Sequence, residues 1–462
     1  MGDRRSEIKD PMPTIAVIGG GPSGVVAALE AAAHGASVTL ISAEAVGGRA
    51  TWSSLVPSKV CLIAADHLDD ARHQEALGLI ADLPRLDLAR MRKRIEAACS
   101  AWSAHQVQLL LDRKVRLVRG KACFAAPERL TVQRDGGESE VVTFDRAIIA
   151  TGSVPVFLPT LKPDGKRILA PRLIATLSDW PRHMIVIGGG ITGAEFAYFF
   201  RCAGCAVTWL TDQAQMLPTF DPEIATALEQ SLAARGIEMV KSAPVASAAA
   251  VGDGVRVELQ DGTSLEGSHA FIAIGRRADL ADLGLAAAGI VHTPAGVSVD
   301  AHCRSSKSNI YAVGDAAGPP YTANCGMARA RAAARHAVGA PAAPFRPHAV
   351  IETTYTLPQA AQVGLTESAA AELDRPVDVF RADYGATLKA RLGETADGFV
   401  KLLAKPDDGR VLGGAAFGDR AAEVLAPVAL AVAKGLSIED LSETFGAHPT
   451  LSELVGIALR GY

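Results

Sequence analysis

Short apolar runs recur along this chain, and several of them end in glycine. The clearest are 14–18, 37–41, 184–187 and 205–210, together with 144–152, which ends in Ala-Thr-Gly. Continuous apolar runs of this length predict strands that are buried on both faces, as in parallel sheets. One helix is predicted between 14–18 and 37–41, ending near His34, and another between 184–187 and 205–210, ending near Ala203. The pattern therefore predicts an α/β chain built from strand–helix–strand units.

Both units carry a glycine-rich turn that fits the GxGxxG pattern of dinucleotide-binding proteins. The residues of the two turns are Gly19, Gly21, Pro22, Ser23 and Gly24 in the first, and Gly188, Gly190 and Gly193 in the second. The first glycine allows the turn, the second lets the backbone approach a pyrophosphate, and the third lets helix and strand pack closely. The helix N-terminus then faces the phosphates. The repeat predicts two dinucleotide sites in one chain.

The second strand of such a unit is expected to end in an acidic residue that binds the adenosine ribose. In the first unit this position is Ser42, and Glu44 follows two residues later. In the second unit Thr211 is followed by Asp212, with no arginine nearby to meet a 2′-phosphate. The carboxylate therefore favours NADH over NADPH.

The stretch 47–59 reads GGRATWSSLVPSK and begins with the pair Gly47 and Gly48. It resembles the active-site segment GGTCxNxGCxPSK of the flavin disulfide reductases, in particular dihydrolipoamide dehydrogenase, within the class I pyridine nucleotide-disulfide oxidoreductases. The two redox cysteines of that segment are replaced by Ala50 and Leu55. A dithiol/disulfide couple needs two sulfurs within bonding distance, so the family's thiol chemistry is not expected at this place.

The resemblance extends from Ile15 to Glu453 and implies FAD at the first turn and NAD(P)H at the second. It implies two doubly wound Rossmann-type domains and an α+β dimerisation domain. Three further family motifs supply cofactor-binding residues, and the aspartate of the third is implied to meet the ribityl chain of the flavin. In chain order these residues are Ala150, Thr151, Gly152, Gly275, Arg276, Gly314 and Asp315.

Two pairs of residues are implied as catalytic. In the family, the lysine of the PSK motif, here Lys59, pairs with a glutamate, here Glu195, beside flavin N5 and the nicotinamide. The motif HPTxxE gives His448 and Glu453; in disulfide reductases this histidine comes from the partner subunit and serves as acid and base, with its tautomer held by the glutamate. His448 is interpreted either as a proton donor to an acceptor or as a structural residue of the dimer interface.

The predicted domains are an FAD-binding domain in two parts, an NAD(P)-binding domain and a dimerisation domain. Their boundaries are 1–152 and 277–345 for FAD binding, 153–276 for NAD(P) binding and 346–462 for dimerisation. In the last, strands are predicted at 398–404 and 411–415 and a helix at 421–433, whereas 55–97 carries helical spacing.

Composition narrows the class of protein. The net charge is −4, with 46 basic and 50 acidic residues, which gives no reason to expect nucleic acid or an anionic membrane as partner. The longest apolar run, 424–433, is too short to span a bilayer, and the first dozen residues are predicted as a disordered tip. The seven cysteines are scattered and odd in number, so no secreted disulfide framework is expected and the chain is predicted to be cytoplasmic. No cluster of His, Cys and Asp has the spacing of metal ligands, so no metal is expected, and the resemblance implies a homodimer.

Two cysteine features invite a redox interpretation. Cys202 and Cys205 form a CAGC pair, which is taken as coincidence because it follows the nicotinamide-domain helix. Cys61 lies two residues after Lys59 and is interpreted as an apolar filler, with a redox relay as the alternative. Trp52 and Ser54 lie where the family's segment faces the flavin, so Trp52 is expected either to stack on a planar acceptor or to fill the gap left by the disulfide.

The leading functional hypothesis is an FAD-dependent NAD(P)H dehydrogenase that passes electrons directly to a small acceptor, such as a quinone. A quinone also needs protons, which His448 could supply. The alternatives are a soluble transhydrogenase, a dihydrolipoamide dehydrogenase-like protein that is inactive on lipoamide, and a non-enzymatic flavin sensor or complex partner.

Overall fold

The computed structural model describes residues 12–461 apart from 81, 172–176 and 178. The predicted disordered tip lies outside these residues except for Met12. The strands are β1 Thr14–Ile18, β2 Ser37–Ser42, β3 Arg116–Arg119, β4 Lys121–Ala126, β5 Arg129–Gln133, β6 Ser139–Thr143, β7 Arg146–Ile149, β8 Ser153–Pro155, β9 Ile168–Leu169, β10 His183–Ile187, β11 Ala206–Leu210, β12 Ile237–Val240, β13 Val245–Val251, β14 Gly254–Leu259, β15 Ser264–Gly267, β16 His269–Ile272, β17 Arg276–Ala278, β18 His292–Thr293, β19 Gly296–Val297, β20 Ile310–Ala312, β21 Glu352–Thr354, β22 Gln359–Gly364, β23 Asp378–Asp383, β24 Phe399–Ala404 and β25 Val411–Gly418.

The α-helices are α1 Pro22–Ala33, α2 Gly48–Ser53, α3 Leu55–His73, α4 Leu88–Asp112, α5 Ile191–Cys202, α6 Pro222–Ala234, α7 Ala323–Ala337, α8 Glu367–Glu372, α9 Leu388–Leu392, α10 Ala421–Val424, α11 Ala426–Lys434, α12 Ile438–Ser442 and α13 Glu453–Arg460. The prediction of one helix over 421–433 is wrong in detail, because Pro427 lies in the first turn of α11 and α10 ends before it. The helical stretch 55–97 is likewise interrupted, since Gly78 adopts a left-handed conformation after α3.

One compact unit comprises residues 12–52, 100–154 and 276–345. Its central sheet has the strand order β20-β7-β1-β2-β3 and is parallel throughout. Alternate residues of β1 face two different cores. Ile15 and Val17 pack with α1 and α7, whereas Ala16 and Ile18 pack with the antiparallel sheet β4-β5-β6. Both faces are covered, as a continuous apolar run requires.

The other compact unit comprises residues 53–99, 155–275 and 346–461 within the described chain. It contains a parallel sheet of order β12-β11-β10-β16-β9, the antiparallel sheet β13-β14-β15 and a five-stranded antiparallel sheet of order β21-β22-β25-β24-β23. The fold class predicted from the sequence is therefore confirmed.

The compact units divide the chain differently from the predicted domain boundaries. Residues 53–99, predicted within the first FAD segment, group with 155–275 because α3 packs along α5. Cys61 and Ala65 of α3 share one core with Phe199 and Phe200 of α5. The predicted boundaries remain a proposal for how the binding functions are distributed. Of the helices in the described part of the chain, none combines the length and hydrophobicity that crossing a bilayer needs.

The most deeply buried cation in the second unit's antiparallel sheet is Lys401 on β24. Its ammonium group lies 2.8 Å from Asp221 and 3.0 Å from Glu223, and it also bonds to Glu367. Burial alone would lower the pKa of Lys401, but hydrogen bonds to these carboxylates raise it above its usual value. The three carboxylates lie close enough together to ligate a metal ion, but each of them is bonded to the Lys401 ammonium group.

Replacing Lys401 with methionine should lower the free energy of unfolding by about 3 kcal/mol, because a buried carboxylate is left without its cation. Urea unfolding followed by circular dichroism measures the effect. Lys405→Met is the matched control, since Lys405 pairs with Asp407 at the surface and its loss should cost less than about 1 kcal/mol. Equal stability of the two variants would contradict a stabilising role for the buried cluster.

Candidate functional site

The first glycine-rich turn is packed too tightly for a side chain at its first and third glycines. Gly19 has φ +114°, and a Cβ there would overlap the carbonyl oxygen of Ala150. A Cβ on Gly24 would overlap the carbonyl oxygen of Gly19, so α1 can lie directly on the end of β1 only with glycine here. A Cβ on Gly21, by contrast, would meet nothing within 4 Å. The turn therefore opens at the N-terminus of α1, where a pyrophosphate is expected.

The other predicted FAD residues converge on this turn. Gly47 donates its N–H to Gly20 O at 2.7 Å, and a Cβ on Gly48 would lie 3.0 Å from Gly21 Cα. Gly314, with φ +64°, lies against Ser23, because a Cβ on Gly314 would come within 2.5 Å of Ser23 Oγ. Pro22 occupies the first turn of α1, where its missing N–H carries no penalty. These residues form a cradle at the carboxyl edge of the sheet.

Asp315 belongs to a polar network that the sequence did not reveal. Ser153 Oγ donates to Asp315 Oδ2, and Arg276 Nε donates to Ser153 Oγ at 2.7 Å. Arg276 also donates to Ser153 O at 3.0 Å and lies 3.8 Å from Asp315. Burial lowers the pKa of Arg276, whereas the charge of Asp315 acts in the opposite direction. Gly152, with φ +75°, directly precedes this serine.

Ser42 is buried at the end of β2, and its hydroxyl donates to Glu44 O at 2.8 Å. A Cβ on Gly20 would lie 2.7 Å from Ser42 Oγ. The small serine therefore makes room for the backbone of the turn, while the Glu44 side chain is exposed beside it. Both residues remain candidates for the ribose contact. The open cradle with these polar groups fits FAD.

The second turn repeats the first. Gly188 has φ +120° and lies against Ala273 O, and a Cβ on Gly193 would overlap Gly188 O. The second glycine again faces open space, because a Cβ on Gly190 would meet nothing within 4 Å. Trp209 adds a contact with no counterpart in the first turn, since its Nε1–H donates to Gly188 O at 2.9 Å. The turn fits a second dinucleotide.

The end of β11 bears on the choice between NADH and NADPH. Thr211 is buried against Gly189, and Asp212 is exposed. Lys241, at the end of the neighbouring strand β12, already pairs with Glu229 at 2.9 Å. Gly275 follows β16 and has φ +120°, and its carbonyl oxygen accepts the N–H of Val156 at 3.0 Å.

Lys59 and Glu195 form the ion pair that the motifs predicted. Lys59 Nζ lies 2.8 Å from Oε1 and 2.9 Å from Oε2 of Glu195. The glutamate is only 4% exposed, whereas the lysine side chain is 31% exposed. Since α3 carries the lysine and α5 the glutamate, the packing of these two helices fixes the pair.

Tyr355 completes this ion pair, and sequence reasoning missed it. Its backbone N–H donates to Glu195 Oε1 at 3.1 Å, and its ring centroid lies 4.6 Å from Lys59 Nζ. Burial raises the pKa of Tyr355, and the charges of Glu195 and Glu423 add to the effect. Tyr355 follows β21 directly, and no motif around it signals the contact.

His448 and Glu453 also meet as predicted. His448 Nδ1 lies 2.9 Å from Glu453 Oε1, and Glu453 Oε2 accepts the Thr450 N–H at 2.9 Å. These two hydrogen bonds, that of Thr450 first, lower the pKa of Glu453. Because an ionised carboxylate only accepts, Nδ1 carries the proton of this bond and Nε2 is left for proton exchange. The imidazole is 65% exposed.

The cysteines offer no disulfide and no activated thiol at these sites. None of the seven cysteines, all of which the structure describes, forms a disulfide, and burial raises the pKa of Cys61 to about 12. Cys202 and Cys205 also have pKa values raised by burial to about 12. Trp52 donates its indole N–H to Val46 O at 3.2 Å and is 37% exposed, so both interpretations of this residue remain predictions. Ser54 directly precedes α3.

Alkylation of the native protein with iodoacetamide at pH 8 should leave Cys61, Cys202, Cys205 and Cys303 unmodified. A thiol with a pKa of about 12 is ionised at pH 8 to only about one part in ten thousand, and the thiolate is the reactive form. After unfolding in guanidinium chloride, mass spectrometry should find all seven thiols modified. Rapid native labelling of Cys61 would instead support a redox relay.

Comparison with known proteins identifies the family of the chain. Residues 13–337 match the family model "Pyridine nucleotide-disulphide oxidoreductase", and residues 350–459 match the dimerisation domain of that family. A Mycobacterium tuberculosis protein named NAD(P)H dehydrogenase (quinone) is 32% identical over 96% of this chain and 93% of its own length. The dihydrolipoyl dehydrogenase of Chlorobaculum parvum is 34% identical over 98% of this chain and 97% of its own.

Solved structures show the same relationship. The crystal structure of LpdA from Mycobacterium tuberculosis superposes with a TM-score of 0.92 at 32% identity, covering 97% of this chain and 99% of that one. The HOCl-induced flavoprotein disulfide reductase RclA from Escherichia coli shares the fold, with a TM-score of 0.84 at 23% identity and coverage of 97% of this chain and 99% of that one. The chain belongs to the pyridine nucleotide-disulphide oxidoreductase family and is an FAD-dependent oxidoreductase of NAD(P)H.

Proposed function

We propose that this enzyme passes electrons from NAD(P)H to a quinone or a similar small acceptor without a redox disulfide. The observation that carries the proposal is the replacement of both motif cysteines by Ala50 and Leu55. None of the cysteines that the chain does contain, all of them described by the structure, forms a disulfide, and Cys61, which lies close to Lys59 in sequence, is buried with a pKa raised to about 12. The relative named NAD(P)H dehydrogenase (quinone) supports this choice of acceptor.

FAD, when bound in the cradle of the first unit, supplies the chemistry of accepting a hydride and releasing two electrons. The residues that would hold it are those of the glycine turns together with Asp315, Ser153 and Arg276. We propose NADH as the preferred donor, because Asp212 would repel a 2′-phosphate and Lys241 is engaged by Glu229.

Lys59 and Glu195 are proposed to hold a fixed charge at the hydride path. The ammonium group bonds to both oxygens of the buried carboxylate, so the two groups hold each other in place. Reduction of a quinone by NADH also consumes one proton in addition to the hydride. His448 is proposed to supply it from Nε2, with the subunits assembled as a homodimer through the dimerisation domain.

The deciding experiment is an anaerobic titration of the holoprotein with NADH, monitored by flavin absorbance. Menadione and then lipoamide are added to the reduced protein. Bleaching without a long-wavelength thiolate–flavin band, and reoxidation by menadione but not by lipoamide, is expected. The Cys61→Ser variant serves as control and should behave in the same way. A charge-transfer band or reoxidation by lipoamide would overturn the proposal, and failure of both acceptors would favour a non-enzymatic flavoprotein.

Tyr355 should affect flavin reduction through its ring. Tyr355→Leu removes the contact with Lys59, and a cation–π interaction of about 1 kcal/mol corresponds to a roughly fivefold slower reduction by NADH. Tyr355→Phe keeps the ring and should stay within about twofold of the parent rate. Stopped-flow absorbance measures both variants. A phenylalanine variant as slow as the leucine variant would assign the effect to the hydroxyl group and contradict the role of the ring.

A further inference from the structure

Three neighbouring loops leave the carboxyl edge of the parallel sheet β20-β7-β1-β2-β3. They follow β7, β1 and β2, and the loop of β1, which carries the glycine turn, lies between the other two. The middle loop touches both neighbours, since Gly19 lies against Ala150 and Gly21 lies against Gly48. A ligand in the glycine turn is therefore flanked by the loops of β7 and β2.

The side chain of Arg49 reaches across from one outer loop to the other. It begins one residue after the Gly47–Gly48 turn that follows β2. Its Nη2 donates to Thr151 O, in the loop of β7, at 2.7 Å, and its Nη1 lies 2.7 Å from Asp279 Oδ2. The planar guanidinium group can make both contacts at once, which a lysine ammonium group at the same position could not match in geometry.

Asp279 is itself fastened to the β7 loop. Its backbone N–H donates to Gly152 O at 2.9 Å, and its carbonyl oxygen accepts from Thr151 Oγ1 at 2.8 Å. Ser153, which follows this loop and begins β8, bonds to Asp315 and to Arg276. The β7 loop is thus linked through Ser153 to Asp315, and Arg49 links the β2 loop to the same hydrogen-bond network.

Arg49 also marks a departure from the family segment. It stands at the threonine of GGTC, directly before the position where Ala50 replaces the first redox cysteine. A threonine side chain is too short to reach both partners that Arg49 contacts. The bridge is therefore a property of this sequence and does not follow from the family motif.

We propose that Arg49 is a positioning residue for FAD, whose bonds to Thr151 and Asp279 hold the β2 and β7 loops together around the cofactor. A cradle that is already closed loses less conformational freedom when it binds its ligand, and the ligand leaves more slowly. The proposal depends on FAD binding and not on the acceptor, so it stands or falls independently of quinone reduction.

The test is the release of FAD from the diluted holoprotein, followed by the rise in flavin fluorescence, together with the FAD dissociation constant. Arg49→Thr should raise the dissociation constant about tenfold, since a charge-assisted hydrogen bond and an ion pair are lost. Asp279→Asn should have a smaller effect in the same direction. The double variant should resemble Arg49→Thr alone, because both changes remove one interaction. Arg49→Lys should fall between Arg49→Thr and the parent.

Two further readouts separate this role from a general structural one. The side chains of Arg49 and Asp279 are 31% and 29% exposed, so raising the salt concentration should speed FAD release from the parent protein more than from Arg49→Thr. By linkage, tenfold weaker binding lowers the free energy of unfolding at saturating FAD by about 1.4 kcal/mol, and Arg49→Thr should lose no more than this amount. Parent-like FAD affinity in both single variants would overturn the proposal, as would a loss of stability at saturating FAD that is clearly larger than the weaker binding accounts for.

Discussion

In both nucleotide-binding turns, the helix approaches the preceding strand more closely than any side chain permits. The carbonyl oxygen of Gly19 occupies the place of a Cβ on residue 24, and the carbonyl oxygen of Gly188 does the same for residue 193. This contact sets the position of α1 on β1 and of α5 on β10. In the second unit it has a direct consequence for chemistry, because α5 carries Glu195 two residues after the tight glycine. The geometry of the ion pair therefore begins with a backbone contact.

The ion pair is stable because its carboxylate has partners on more than one side. A carboxylate that is 4% exposed would be costly without a compensating charge. Lys59 supplies the charge, and the backbone N–H of Tyr355 supplies a further donor to Oε1. The tyrosine ring then lies over the ammonium group. Three segments that are distant in sequence, α3, α5 and the residue after β21, thus meet at one charge pair.

The parts of the site that depend on backbone shape and on motif spacing could be predicted from the sequence. Glycine patterns located both turns, and the motif positions of Lys59, Glu195, His448 and Glu453 led to pairs that the structure brings within 3 Å. Tyr355 escaped prediction because its contact with Glu195 uses a backbone N–H, which any residue other than proline could donate. Arg49 and Asp279 escaped because a surface-type charge pair between residues so far apart has no local signature. The grouping of 53–99 with 155–275 depends on helix packing that hydrophobic spacing alone does not assign to a partner.

The His448–Glu453 pair bears on which electron acceptor suits this chain. The Thr450 N–H bonds to the carboxylate, the carboxylate bonds to Nδ1, and the His448 side chain is largely exposed, so Nε2 is left for proton exchange. Transfer of a hydride from NADH to NADP⁺ releases and consumes no proton, so a transhydrogenase has no use for such a group. Thiol exchange has a use for it, but the motif cysteines are absent. Quinone reduction requires one proton for each hydride, so the proposed quinone acceptor would give this imidazole a proton-donating role.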